Sequence, residues 1–198
     1  MRLERLYISS RSLTQIGNYA FYFLHNLRHI KIHSDVGLQH ISAHAFDINQ
    51  PSNHQLTIDL RLNQLTVSSF ELDAFCAVGR PIRLQLSHNN LTTVPRATFE
   101  RFLSVNSANE MHLADNPLDC DCAMFWILRD RASYLNQVLY ALCDEAYDVW
   151  RLDEGAFDRC DANVDFMPRL VLRNSAAAAV ELSVRHLLLL PIFLQLIL

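Results

Sequence analysis

Glycine is scarce, with only four in 198 residues. A phosphate cradle needs glycine so that the backbone can close on the anion, and no G-x-G-x-x-G or P-loop string is present. Nucleotide binding is therefore not expected. Charged residues are few as well, at 19% with a formal net charge of −4, so the basic stripe of a nucleic-acid binder is missing. The strings G-x-S-x-G and H-E-x-x-H are absent. The nine histidines are scattered, and His29 and His33 would lie about 13 Å apart along one strand face, too far to chelate one metal. These absences point away from catalysis, and neither a metal nor an organic cofactor is expected. General disorder is excluded from the other side, because 51% of the residues are apolar and a chain of this length can bury a core.

The ends lack familiar signals. Met1-Arg2 runs straight into Leu3, Leu6 and Ile8, without the basic and apolar regions of a secretory leader. The apolar run from Leu187 to Leu198 contains Pro191 and falls short of the roughly 20 residues of a spanning helix. Upstream lie Asn174, Ser175, Ala176 and Ala177, then a partly polar spacer through Glu181, Arg185 and His186. Small residues, a spacer and a short apolar tail have the layout of a GPI-attachment signal. Lipidation is accordingly expected at Asn174 or Ser175, with a truncated membrane span as the alternative.

What the first hundred residues do have is a period. Leu3, Leu6, Ile8, Leu13, Ile16 and Phe21 are followed by Leu27, Ile30, Ile32, Leu38, Ile41 and Phe46. A third copy gives Ile58, Leu60, Asn63, Leu65, Phe70 and Phe75, and a fourth gives Leu84, Leu86, Asn89, Leu91, Val94 and Phe99. A fifth begins at Met111, Leu113, Asn116 and Leu118 and then departs from the pattern. The strand positions Ile8, Ile32, Leu60, Leu86 and Leu113 recur every 24 to 28 residues, the period of a leucine-rich repeat. Each alternating L-x-L reads as a short strand with its leucines inward. No single coil can bury that set, so neighbours must stack and share a core.

Two ladders are expected across the coils. Phe21, Phe46, Phe75 and Phe99 should stack on the convex side. Asn63, Asn89 and Asn116 fall in the turn after the strand, where an amide side chain can satisfy backbone groups left unpaired by the bend. The early copies depart from the pattern. Arg11 replaces the asparagine, the second coil carries an extra residue around Asp35-Val36-Gly37, and the third is lengthened near Ser68-Ser69.

Four of the five cysteines, Cys120, Cys122, Cys143 and Cys160, lie beyond the last ladder asparagine. Spacing alone allows three pairings. A zinc site is the rival reading, although C-x-C is tighter than the usual ligand pair and no second close pair follows. The stretch Asn116-Pro117-Leu118-Asp119-Cys120-Asp121-Cys122, with Trp126 following, resembles the cysteine-flanked C-terminal cap of extracellular leucine-rich-repeat proteins. That resemblance implies the pairs Cys120–Cys143 and Cys122–Cys160. It also implies an oxidising, extracellular location, secreted or at the outer cell surface. The physical need is plain, since the last coil would otherwise expose a slab of core. A short helix around Ala123 to Arg131 can set Phe125, Trp126 and Ile127 against it. With no cap before Leu3 and no leader, the start is expected to be incomplete. Cys76, left over, is expected half-buried on the convex side, or else paired with another chain.

The expected fold is thus α/β. It is a leucine-rich-repeat solenoid over residues 1–118, with short parallel strands on the concave face and loops or short helical turns on the convex face. A disulfide-bonded cap follows at 119–162, then a spacer at 163–186 and the apolar tail at 187–198. On the concave face the central column reads Tyr7, Lys31, Asp59, Gln85 and His112. The next column reads Ser9, His33, Arg61, Ser87 and Ala114, and the preceding one Arg5, His29, Thr57, Arg83 and Glu110. Both charge signs are present, which suits protein recognition and not a polyanion. The expected partner-binding residues are Tyr7, Lys31, His33, Asp59, Arg61, Arg83, Gln85 and His112. The single N-x-S/T sequon makes Asn90 the expected glycosylation site.

Residues 55 to 160 are similar to an arthropod group named after the non-catalytic subunit of Oplophorus luciferase. The similarity lies in the run Leu65 to Phe75, the run Arg80 to Leu91 and the cap from Asn116 to Trp126. It implies a structural partner of an enzyme and no catalytic residue. The expected function is a non-catalytic extracellular recognition module, in the broad manner of Toll-like or Slit-like ectodomains. The alternative is a stabilising subunit of a secreted enzyme. The expected partner is a protein, not a nucleic acid, with the membrane reached through the tail.

Overall fold

The computed structural model describes residues 3–33, 37–75, 79–143, 147–152 and 160. Asn174, Ser175, the spacer and tail from 163 onward, Cys76 and the Asp35-Val36 insertion lie outside the described residues. In chain order the strands are β1 (Arg5–Ser9), β2 (Gln15–Ile16), β3 (His29–His33), β4 (His40–Ile41), β5 (Leu56–Asp59) and β6 (Ile82–Gln85). They continue with β7 (Glu110–His112), β8 (Val138–Leu139), β9 (Leu142–Cys143) and β10 (Tyr147–Asp148). Helix α1 spans Arg96–Ser104, α2 Phe125–Arg129 and α3 Arg131–Tyr134.

The L-x-L segments assemble into one six-stranded sheet in the order β1-β3-β5-β6-β7-β8. All its pairings are parallel and hold one register, Leu6 to Ile30 to Ile58 to Leu84 to Met111 to Val138. Because side chains alternate along a strand, this register puts the apolar positions on one face. Ile30, Ile32, Ile58, Leu60, Leu84, Leu86, Met111 and Leu113 are all at most 1% exposed, each burial contributing about 1.5–3 kcal/mol. Leu6 and Ile8 on the edge strand β1 are only partly buried. Opposite the sheet, β2 and β4 form a short parallel strip that Phe70 extends through a bridge to Ile41. In the fourth coil the return run becomes α1. This α/β arrangement, a parallel sheet with few helices, is compatible with a leucine-rich-repeat fold.

Both expected ladders are present. Phe21, Phe46, Phe75 and Phe99 stack with ring centroids 5.4, 5.5 and 6.3 Å apart, within the range of favourable offset stacking. The asparagines bind backbone from coil to coil. Asn89 accepts from the amides of Asn63 (3.1 Å) and Leu65 (2.9 Å) and donates to the carbonyls of Leu60 (3.0 Å) and Leu86 (2.8 Å). Asn116 accepts from Leu91 and donates to Leu86 and Leu113, and Asn63 donates to Ile32 and Leu60. In the first coil, where Arg11 replaces asparagine, the amide of Ser12 donates instead to the exposed hydroxyl of Ser10.

Each ladder asparagine follows a residue in the left-handed region: Leu62 at φ 62°, His88 at 56° and Asp115 at 56°. A second row, Tyr19, His44 and Asp73, is also left-handed, at φ 55°, 56° and 63°, with the Tyr19 amide donating to His44 and the His44 amide to Asp73. Such positions cost about 1–3 kcal/mol each for non-glycine residues. The inter-coil hydrogen bonds hold them there.

The cap adds a strand as well as a lid. Met124, Ile127 and Leu128 are at most 1% exposed and Trp126 is 5% exposed, whereas Phe125 is only partly buried. Met124 and Leu128 therefore join the expected Trp126 and Ile127 in covering the slab, and Phe125 packs against it from a partly buried position. Both indoles donate to backbone carbonyls, Trp126 to Val94 at 2.9 Å and Trp150 to Val138 at 3.0 Å. The amide of Gln137, 4% exposed, donates to Leu103, Asn106 and Asn109. Disulfides join Cys120 to Cys143 and Cys122 to Cys160, with Cα atoms 5.5 and 5.3 Å apart. The loops they close, 23 and 38 residues, correspond to about 3–4 kcal/mol each on the chain-entropy model.

Replacing Asn89 by alanine strips partners from buried amides and carbonyls of two coils. Asn89→Ala is expected to lower unfolding free energy by about 2–4 kcal/mol. The exposed neighbour, as Asn90→Ala, should change it by less than about 0.5 kcal/mol. Urea unfolding of both variants checks the contrast.

Candidate functional site on the open sheet face

The sheet face opposite the leucines is open, and the register carries the expected columns across it. Tyr7 pairs with Lys31, Lys31 with Asp59, Asp59 with Gln85 and Gln85 with His112, and β8 adds Leu139. The preceding column likewise runs Arg5, His29, Thr57, Arg83, Glu110. Adjacent strands are about 4.8 Å apart, so these side chains form a continuous surface. Tyr7 is 62% exposed and packs its ring 5.6 Å from that of His29. Lys31 and Arg61 are exposed, and His33, Arg83, Gln85 and His112 are half-buried.

Asp59 corrects the expectation. It is only 2% exposed, because Arg61, just beyond the strand, folds back over it. The guanidinium grips the carboxylate with Nε at 2.9 Å and Nη2 at 2.8 Å, and the Arg61 amide adds a bond at 3.2 Å. Burial pushes the Asp59 carboxyl up, but those hydrogen bonds and the charges of Arg61 and Lys31 outweigh it and hold the group below the ordinary aspartate value. Asp59 thus orients Arg61 and presents almost no surface of its own.

Toward the cap a second pair forms. Arg83 Nε donates to Glu110 Oε2 at 2.7 Å, and His112 Nε2 lies 3.4 Å from the same oxygen. The Arg83 hydrogen bond, aided by His112 and opposed by burial, holds Glu110 below the ordinary glutamate value. Tyr140, 61% exposed and left-handed at φ 59°, sets its ring edge-on to His112 at 5.5 Å. It belongs to the cap, so no repeat register points to it.

Elsewhere, a cleft of about 410 Å³ is lined by Gln39, Gln64, Thr66, Ser68 and Ser69 among others. Among the described residues no charged side chain lines it, and the hydroxyls of Thr66 and Ser68 bond each other at 2.9 Å. Among the described residues, no three of His, Cys, Asp and Glu gather closely enough to hold a metal ion. No described helix is long and apolar enough to cross a membrane. Asn90 is exposed, while its amide donates to Leu65 at 2.8 Å, which fixes the sequon at the edge of the ladder.

The pairing of buried Asp59 with exposed Arg61 sets a pH dependence. Because the folded carboxyl is shifted down, its stabilisation is present above the ordinary aspartate value and is lost as pH falls from there through the lower folded value. In Arg61→Ala the carboxylate loses both its main partner and the side chain that covers it. The expected cost at neutral pH is about 1–3 kcal/mol, discounted for the exposure of Arg61. The Asp59→Asn/Arg61→Ala double variant should recover part of it. Thermal melts between about pH 3 and pH 7 should show a shallower acid loss for Arg61→Ala than for the wild type.

No protein-family model matches the chain. Among curated proteins, leucine-rich repeat-containing protein 3 of Danio rerio is 32% identical over 101 residues, which cover 50% of this chain and 36% of that protein. The chain therefore spans about a third of the length of that relative. The match supports leucine-rich-repeat character and says nothing of the arthropod group.

Proposed function

We propose that this chain is a leucine-rich-repeat solenoid closed by a disulfide-bonded cap, and that it acts outside the cell as a non-catalytic module that binds a protein through the concave face of its sheet. One observation carries the reading. The outward side chains of successive strands stand in register as a continuous polar and aromatic surface, backed by a core that fixes their positions. Side chains on a rigid scaffold bind with little ordering cost. Two disulfides are compatible with an oxidising compartment. A name that describes repeats, in the Danio rerio relative, agrees with an interaction role in general terms. In this reading Asn90 carries a glycan at the flank of the sheet and leaves the concave face clear.

Engineered glycans test the face. Gln85→Asn creates a sequon with Leu86 and Ser87 in the middle of the sheet, and Arg96→Asn creates one with Ala97 and Thr98 at the start of α1. Both are expressed through a eukaryotic secretory pathway, and glycosidase treatment reports occupancy, including that of Asn90. Photo-crosslinking of each purified chain to intact cells is then compared. The expected result is loss of the wild-type crosslinked partner with the glycan from Gln85→Asn and retention with that from Arg96→Asn. Retention with both would sink the concave-face reading.

A further inference from the structure

The charges on the open face are divided unevenly along the sheet. On β1, β3 and β5, and in the turn after β5, the outward residues include Arg5, Tyr7, His29, Lys31, Asp59 and Arg61. Three cations thus face one carboxylate, and that carboxylate is 2% exposed and already gripped by Arg61. Arg5 and Lys31 are exposed, and neither belongs to any ion pair among the described residues. At the entry edge Glu4 and Arg28 offset each other in formal charge. On β6 and β7, by contrast, Arg83, Glu110 and His112 are bonded together and Gln85 is neutral. Among the described residues the half nearer β1 is therefore a positive patch on a chain whose formal net charge is −4, with the exposed ring of Tyr7 on its edge strand.

From this asymmetry we infer that the partner contributes an acidic polypeptide segment, seated on Arg5, Tyr7, Lys31 and Arg61. The inference rests on the concave-face reading above and names the chemistry of what that face takes. Charge complementarity of this kind steers encounter and fixes register. The patch is too small for a polyanion: affinity for a phosphate or sulfate chain grows with the number of cations engaged, typically about 6–10. A long polyanion continuing along the sheet would also meet Glu110. A short extended peptide suits the patch better, because its alternate side chains recur every ~6.7 Å on one face. Carboxylates at such positions reach cations on neighbouring strands, and an interleaved aromatic can pack on Tyr7 and His29.

The test uses the full chain with its disulfides intact and a fluorescent random copolymer of glutamate and tyrosine as the probe, with labelled heparin in parallel. Anisotropy is read at low and at high salt. The copolymer is expected to bind at low salt and to weaken as salt rises. The double variant Arg5→Glu/Lys31→Glu should weaken binding by about tenfold or more. Arg96→Glu, on α1 away from the sheet, should leave it unchanged. If charge reversal disturbs folding by near-UV circular dichroism, Arg5→Gln/Lys31→Gln replaces it, with a smaller loss in the same direction. Failure of the copolymer to bind would overturn the inference, as would equal binding by wild type and double variant. Heparin binding tighter than the copolymer and equally sensitive to the double variant would overturn it in favour of a glycan surface. If the copolymer fails while the glycan from Gln85→Asn still abolishes crosslinking, the acidic-segment inference falls and the concave-face reading stands.

Discussion

Where β5, β6 and β7 end, the chain turns, and backbone amides and carbonyls are left facing an apolar interior. Water cannot reach them, and each unpaired group would cost about 1–3 kcal/mol. The buried asparagines Asn63, Asn89 and Asn116 answer this constraint, because an amide side chain both donates and accepts. Each binds carbonyls of its own coil and the previous one, and Asn89 and Asn116 also accept amides from that previous coil. The left-handed residue before each asparagine turns the side chain inward. Strain at Leu62, His88 and Asp115 is thereby exchanged for satisfied backbone.

The rest of the architecture follows from coils being held at one spacing. Constant spacing lets Ile30, Ile58, Leu84 and Met111 form one row of a shared core, and lets four phenylalanines stack on the far side. It also sets the outward side chains in columns, so the continuous surface of the open face is a by-product of the core register. A stack of this kind needs an end, which the cap supplies by continuing the sheet through β8 and sealing the core with Met124, Trp126, Ile127 and Leu128. Gln137 plays for the cap the part the asparagines play between coils.

Much of this was legible in the sequence, because the period-two leucines, the phenylalanines and the asparagines are spaced by the geometry they serve. The columns of the open face followed from the same alternation. Other features left no such trace. Left-handed turns are usually marked by glycine, and here Leu62, His88, Asp115 and Tyr19 occupy them, held by tertiary hydrogen bonds. Strand β8 is two residues long and lies outside the repeat, so neither it nor Tyr140 could be placed by period. Asp59 looked solvent-facing because alternation reports which face a residue is on, and not that Arg61 would fold back to cover it. The helix α1 replaces the turns of earlier coils although its apolar positions keep the repeat spacing.

The claim on which everything else depends is that asparagine side chains tie coil to coil. Hydrogen exchange read amide by amide tests it most directly. The amides of Asn63, Leu65 and Leu91 lie outside strands and helices, where exchange is ordinarily fast, and each donates to the asparagine of the following coil. If the ladder holds the coils, these three amides exchange only through global unfolding, as slowly as the amides of β5 and β6. Exchange at the rate of exposed loops, with the strands still protected, would contradict the account.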